Sequence, residues 1–267
     1  MGIALASTAL AGAATAAPFA VAPAAQAGTG ESFIGKFKKL TTIGSTAPAN
    51  GDVNPYGTVL VRKNQGSLVK GNILISNFNN SKNFQGTGTT IVQVSPKGKL
   101  SAFAQINAAT LPGKCPDGVG LTTALTILRG GWVVAGSLPT KDGSAATSSA
   151  GRLIVLDNRG HVRETGATWR SNSAGTGTAV TKGGALNTPL GLIIAPHGDV
   201  FTVNGGNGLS VETAPSGNQV AKKMLDSSGS PPGAGALFGL ALAPHNAGVY
   251  YVDDAVNTLR LLHLGLS

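Results

Sequence analysis

Apolar residues in this chain gather in short runs bounded by Gly, Pro, Asn or Asp, and the runs recur in groups. Short Val, Ile, Leu and Thr runs between such punctuation predict β-strands rather than helices. The first group comprises Val59–Val61, Asn72–Asn77, Thr90–Val94 and, beyond the turn Ser95-Pro96-Lys97-Gly98, Lys99–Ile106. The second comprises Thr123–Leu128, Trp132–Ala135, Arg152–Leu156 and, after Asp157-Asn158-Arg159-Gly160, His161–Glu164. The third runs through Leu192–Ala195, Asp199–Asn204, Leu209–Thr213 and Gln219–Leu225, and the fourth through Leu237–Leu242, Val249–Asp254 and Asn257–Leu262. Repeated sets of four short strands with Gly and Pro turns are the pattern of propeller blades. Pro fixes φ for such turns and Gly takes positive φ without strain.

The last group stops one strand short, and Phe37–Ile43 stands ahead of the first group where a fourth strand precedes each later one. The two fragments are predicted to share a blade, which removes a sheet edge that would otherwise template aggregation. Thr165–Leu186 fits no repeat; its Gly175–Val180 run is like Gly86–Ile91 and reads as a lone strand left after internal loss. The expected fold class is all-β: one β-propeller domain over 28–267. It should have about four to five short four-stranded antiparallel blades, in a complete or an incomplete ring, closed by pairing of the N- and C-terminal strands.

Asn187-Thr188-Pro189-Leu190-Gly191-Leu192, followed by Pro196-His197-Gly198-Asp199-Val200 and Val203-Asn204, resembles an NHL-type β-propeller repeat. Weaker versions stand at Asn54-Pro55-Tyr56-Gly57 and between Phe238-Gly239 and Asp253, so the resemblance extends over Phe37–His263 apart from Thr165–Leu186. The whole chain is similar to a group of exported bacterial propeller proteins, mostly without an assigned activity. Members of the wider superfamily usually have about six blades, and one frame hosts binding modules and enzymes alike.

Composition agrees with a β-rich, turn-rich domain: of 267 residues 39 are Gly, and only 12% are charged. No apolar run approaches the roughly 20 residues of a membrane-spanning helix. The net charge of +9 is scattered from Lys36 to Arg260 without the aromatic interleaving of a nucleic-acid platform. It therefore points to no specific nucleic acid, and at most to weak contact with an anionic cell-surface polymer. Cys115 is the single cysteine, so no intrachain disulfide forms, and its neighbours offer no histidine base. Residues 1–27 carry no charge, are mostly Ala, and end in Ala25-Gln26-Ala27, the small-x-small pattern of a signal-peptide cleavage site. The expectation is an exported, secreted or cell-envelope protein that begins near Gly28, the positive start of the signal lying further upstream.

Loops entering the innermost strands of a propeller surround the mouth of its channel, and Asn54, Asp117 and Asn187 hold those positions. They are the candidate ligand-binding residues. The resemblance implies that superfamily lactonases hold a divalent cation at such entries with carboxylate and amide oxygens. A hard cation wants about six oxygens, several of them charged, and this set offers one carboxylate. The plainer reading is that Asn54 and Asn187 bond their own turn backbones as Asx turns. Asp253-Asp254 ends a second strand where Asn77 and Asn204 stand elsewhere, which favours a loop-holding role. Glu31, Glu164 and Glu212 lie near no entry motif, so a glycosidase pair is not expected. His197 and His245 fall in equivalent turns after Pro196 and Pro244, and His161 and His263 match no motif. The leading functional expectation is a binding module for a ligand or protein partner at the channel face, without catalysis or an assigned cofactor. The alternative is a metal-assisted lactonase- or lyase-like hydrolase.

Overall fold

A computed structural model describes residues 32–112, 118–167 and 179–265. The signal-like segment, Cys115, Asp117 and most of Gly175–Val180 lie outside the described residues; Ala179 and Val180 belong to no strand. The first strand, β1 (Lys39–Ser45), is followed by β2 (Val53–Leu60), β3 (Ile73–Asn79), β4 (Thr90–Val94) and β5 (Leu100–Gln105). Next come β6 (Leu121–Ile127), β7 (Val133–Ser137), β8 (Arg152–Leu156) and β9 (Val162–Ala167). The chain continues through β10 (Pro189–Ile194), β11 (Val200–Asn204), β12 (Leu209–Thr213) and β13 (Gln219–Met224), and ends with β14 (Leu237–Leu242), β15 (Gly248–Asp253) and β16 (Thr258–His263).

The strands form four antiparallel sheets of four: β2-β3-β4-β5 is blade one, β6-β7-β8-β9 blade two, β10-β11-β12-β13 blade three and β14-β15-β16-β1 blade four. This is a four-bladed β-propeller. Blade four is closed by both ends of the chain, with Lys39 opposite His263 and Ser45 opposite Thr258. Among the described residues no helix is long and apolar enough to cross a membrane.

Three innermost strands begin earlier than the apolar pattern predicts. β2 starts at Val53 rather than Val59, β6 at Leu121 rather than Thr123, and β10 at Pro189 rather than Leu192. Asn-Pro and Thr-Pro read as turns, but a bulge between Pro55 and Gly57, and another between Pro189 and Gly191, carries each strand past its proline. Proline is tolerated at a strand's start or at a bulge because no ladder donor is needed there.

Each blade is apolar on both faces, so stability depends on packing blade against blade. The described residues form three buried apolar clusters. Leu74, Ile91, Phe103, Leu121, Val133 and Ile154 join blade one to blade two. Ile75, Val92, Phe238 and Val252 join blade one to blade four. Phe201, Val203, Leu237 and Tyr251 join blade three to blade four, together with Phe33, Ile34 and Phe37 from ahead of β1. The inner strands follow the same order: β2 packs beside β6 and β14, and β14 beside β10. β6 and β10 do not pack side by side, and the β10 side chains on that flank, Leu190, Leu192 and Ile194, are 44%, 64% and 56% exposed. The ring thus has a seam between blades two and three, where Thr165–Leu186 joins them in sequence.

Small residues show how the seam is written into the chain. Three positions before its last paired residue, each inner strand carries Gly57, Gly191, Gly239 or, in β6, Ala124. A Cβ on Gly191 would overlap the Phe238 carbonyl oxygen, and one on Gly239 would overlap that of Tyr56. Gly57 abuts Leu125 and Thr122 of blade two in the same way. Ala124 is exposed, since no blade abuts it. Glycine stands where the next blade presses in, and alanine where it does not.

Candidate functional site at the channel mouth

The ends of the second strands and the loops entering the first strands meet at one end of the channel. Asn77, Ser137, Asn204 and Asp253 occupy the same rung, opposite the start of β2, β6, β10 and β14, and all four are buried. A buried amide or hydroxyl needs a partner, and the incoming loop supplies it. Asn77 Nδ2 donates to the Thr46 carbonyl at 3.1 Å, and Asn204 Nδ2 to that of Ala185 at 2.7 Å. Ser137 Oγ accepts from the Gly120 N–H at 3.1 Å. These residues fasten the loops that feed the inner strands. Asp253 instead holds Arg260 of its own blade, Oδ2 to Nη1 at 2.7 Å, and Asp226 Oδ2 lies 3.7 Å from the same nitrogen.

Asn54 and Asn187 are not equivalent. Asn54 precedes Pro55 with φ of 58°, and its counterpart ahead of Pro189 is Thr188, with φ of 50°; Asn187 stands one residue earlier. Neither side chain makes the expected Asx turn. The Asn54 N–H is held at 2.8 Å by Oδ1 of Asn257 from blade four, while Asn187 Oδ1 accepts from the Thr188 hydroxyl at 3.3 Å. Asparagine suits Asn54 because it adopts left-handed backbone more readily than most residues. The two candidates are engaged by separate neighbours and share no hydrogen bond.

The sequence pattern did not single out Asp52, although it is buried at this end. Its Oδ2 accepts from the Thr89 N–H at 2.8 Å and the Thr90 hydroxyl at 2.8 Å, fixing the approach to β4. Glu212, set aside for want of an entry motif, is a buried anchor near the other end. It accepts from the Phe33 N–H at 2.8 Å and the Ile34 N–H at 3.0 Å, and so ties down the segment ahead of β1.

Asp254 is the titratable group at the mouth that is not built into a clamp. Burial, with the neighbouring Asp253 charge second, pushes its carboxyl up to about 7, and its Oδ1 has no donor among the described residues. Beside it, burial and then the Asp254 charge push the Tyr56 phenol up to about 12. Tyr56 stacks between Phe78 and Phe238, with ring centroids 4.6 and 3.9 Å away. Burial raises Asp253 to about 6 against the pull of Arg260. Among the described residues no three of His, Cys, Asp or Glu come together as a metal would require.

Below the mouth the four inner strands enclose a cavity of about 280 Å³, its wall formed by Thr58, Thr123, Leu125, Leu190, Leu192 and Leu240. The wall carries no charge.

No family model and no curated protein matches the chain. Solved structures do. A gluconolactonase from Xanthomonas campestris, XC5397, is 9% identical over 85% of this chain and 89% of its own, with a TM-score of 0.47. Virginiamycin B lyase from Staphylococcus aureus is 17% identical over 80% of this chain, with a TM-score of 0.26, and the chain spans about half (53%) of that enzyme's length. An aldose sugar dehydrogenase from Streptomyces coelicolor, in its PQQ-bound form, is 12% identical over 80% of this chain and 78% of its own, with a TM-score of 0.42. At such identities the likeness speaks to fold, and activity must be argued from the residues of the channel.

Proposed function

We propose that the chain is an exported, NHL-like propeller that binds an apolar organic molecule in its channel and does not transform it. One observation carries this reading: the channel is open and its wall uncharged, with Leu125, Leu190, Leu192 and Leu240 set among Thr58, Thr123 and two glycines, while Asn77, Ser137 and Asn204 at its mouth are engaged in holding loops. Small-molecule sites are concave and combine apolar wall with a few placed polar groups, and this channel sets leucines beside threonines. Asp254 would lend the rim a single weakly acidic group.

The test uses the full chain and the neutral fluorescent probe N-phenyl-1-naphthylamine. Saturable uptake near one probe per chain is expected, and Leu192→Lys, at an exposed wall position, should weaken it at least tenfold without lowering the melting temperature. Absence of saturable uptake would overturn the reading. So would hydrolysis of lactones that requires a divalent ion, particularly if calcium raised the melting temperature and Asp117→Asn cancelled the rise.

A further inference from the structure

At the end of the channel away from Asp254, β2 and β6 run out into Arg62 and Arg129. These two residues hold the same place in their repeats, two beyond the last paired residues Leu60 and Ile127. Blades three and four place Pro196 and Pro244 there, beyond Ile194 and Leu242. Two adjoining blades thus exchange a turn-forming proline for a cation at one spot. Neither arginine, nor Lys63 next to Arg62, has a side-chain hydrogen bond or ion pair among the described residues.

The three cations line a cavity of about 570 Å³, whose remaining wall includes Val59, Ile127 and Leu128. A second cavity of about 270 Å³ shares Val59, Leu60 and Arg62 with it and reaches Ile194 and Leu242. Among the described residues no aspartate or glutamate lines either one. The single carboxylate in the corresponding turns, Asp199 of blade three, is raised by burial and by the neighbouring Glu212. Unpaired guanidinium groups beside apolar wall suit a ligand with an anionic head and an apolar body. Arg binds a carboxylate through paired N–H donors, and the tail is removed from water along the strands. The volume lies within the roughly 300–1,000 Å³ of small-molecule sites.

We propose that this end of the channel binds a medium-chain alkyl carboxylate, its head between Arg62 and Arg129 and its chain directed toward Ile194 and Leu192. The inference rests on the channel-binding reading above and adds the head group and its place. Uncharged or cationic amphiphiles of the same length are the competing occupants.

Calorimetric titration of the full chain with decanoate, decanol and decyltrimethylammonium tests it. Decanoate should bind at least tenfold more tightly than decanol, with the cation weakest, and 0.5 M salt should reduce the decanoate advantage. The double variant Arg62→Ala/Arg129→Ala should lose at least tenfold for decanoate and keep its decanol affinity. Lys97→Ala/Lys99→Ala, which removes the same net charge elsewhere, should keep both. Equal affinity for all three head groups, or an equal loss in the lysine pair, would overturn the proposal. If N-phenyl-1-naphthylamine still binds in that case, only the head-group assignment fails; if it does not, the channel reading fails as well.

Discussion

Asp253 and Asp254 show how single residues tie this fold to pH. Folding raises both carboxyls, to about 6 and about 7, so between pH about 4 and 7 the folded chain holds protons that the unfolded chain has released. Their stabilising contribution is complete below that window and is lost as pH rises through it. Asp226 runs the other way: burial would raise it, but Ser228, Asp253 and Arg260 hold it low, so its contribution is lost only in stronger acid. Tyr56 and Tyr251, the phenols nearby, are raised and titrate far above the window. The melting temperature should therefore fall between pH 5 and pH 8, and Asp254→Asn should flatten the fall. At pH 8 that variant should be more stable by about 2 kcal/mol after allowing for solvent around a partly exposed group. Denaturant melts at the two pH values check both statements. Gly191 offers a second test at this scale. Gly191→Ala forces a methyl into the Phe238 carbonyl and should cost about 2–3 kcal/mol, whereas Ala124→Gly on the open flank should cost about 1 kcal/mol or less. Urea midpoints of the two variants would separate them.

Among the elements, the segment ahead of β1 works as a strap. Phe33, Ile34 and Phe37 are buried against blades three and four, and Glu212 holds the Phe33 and Ile34 amides. Glu212→Gln weakens three charge-assisted hydrogen bonds, from the Ser32 hydroxyl and the Phe33 and Ile34 amides, and should cost about 2 kcal/mol. Hydrogen exchange at the Phe33 and Ile34 amides should accelerate more than exchange in β3 and β4. Local pattern could not reveal this anchor, because its partners lie 179 and 178 residues away along the chain. What the pattern did carry was punctuation: β4, β8, β12 and β14 have the bounds that Gly, Pro and Asn turns mark out. Asn54 and Asn187 looked alike for the same reason, since each opens an Asn-and-Pro stretch. Their true offset depends on bulges, which leave no composition signal of their own. The shared blade was legible because counting strands leaves one group short at the C terminus and one strand spare at the N terminus.

Across the molecule, three blade interfaces are buried, and among the described residues the fourth flank of the ring is open. The order in space is blade two, one, four, three, and the strongest discontinuity falls where the chain passes from blade two to blade three. The chain ends, by contrast, meet at β1 and β16, where the Lys38 N–H donates to the His263 carbonyl at 3.0 Å. A linker from Gly265 to Ser32 would join them and keep the Phe33–Phe37 strap, and new ends could be cut between 167 and 179. Such a circular permutant would carry its blades in the order three, four, one, two, with every buried blade interface joining consecutive blades. Permutation succeeds where few contacts cross the new ends. Its unfolding midpoint should stay close to that of the parent, and it should refold faster, because the blade-four sheet would no longer depend on pairing the two extremes of the chain.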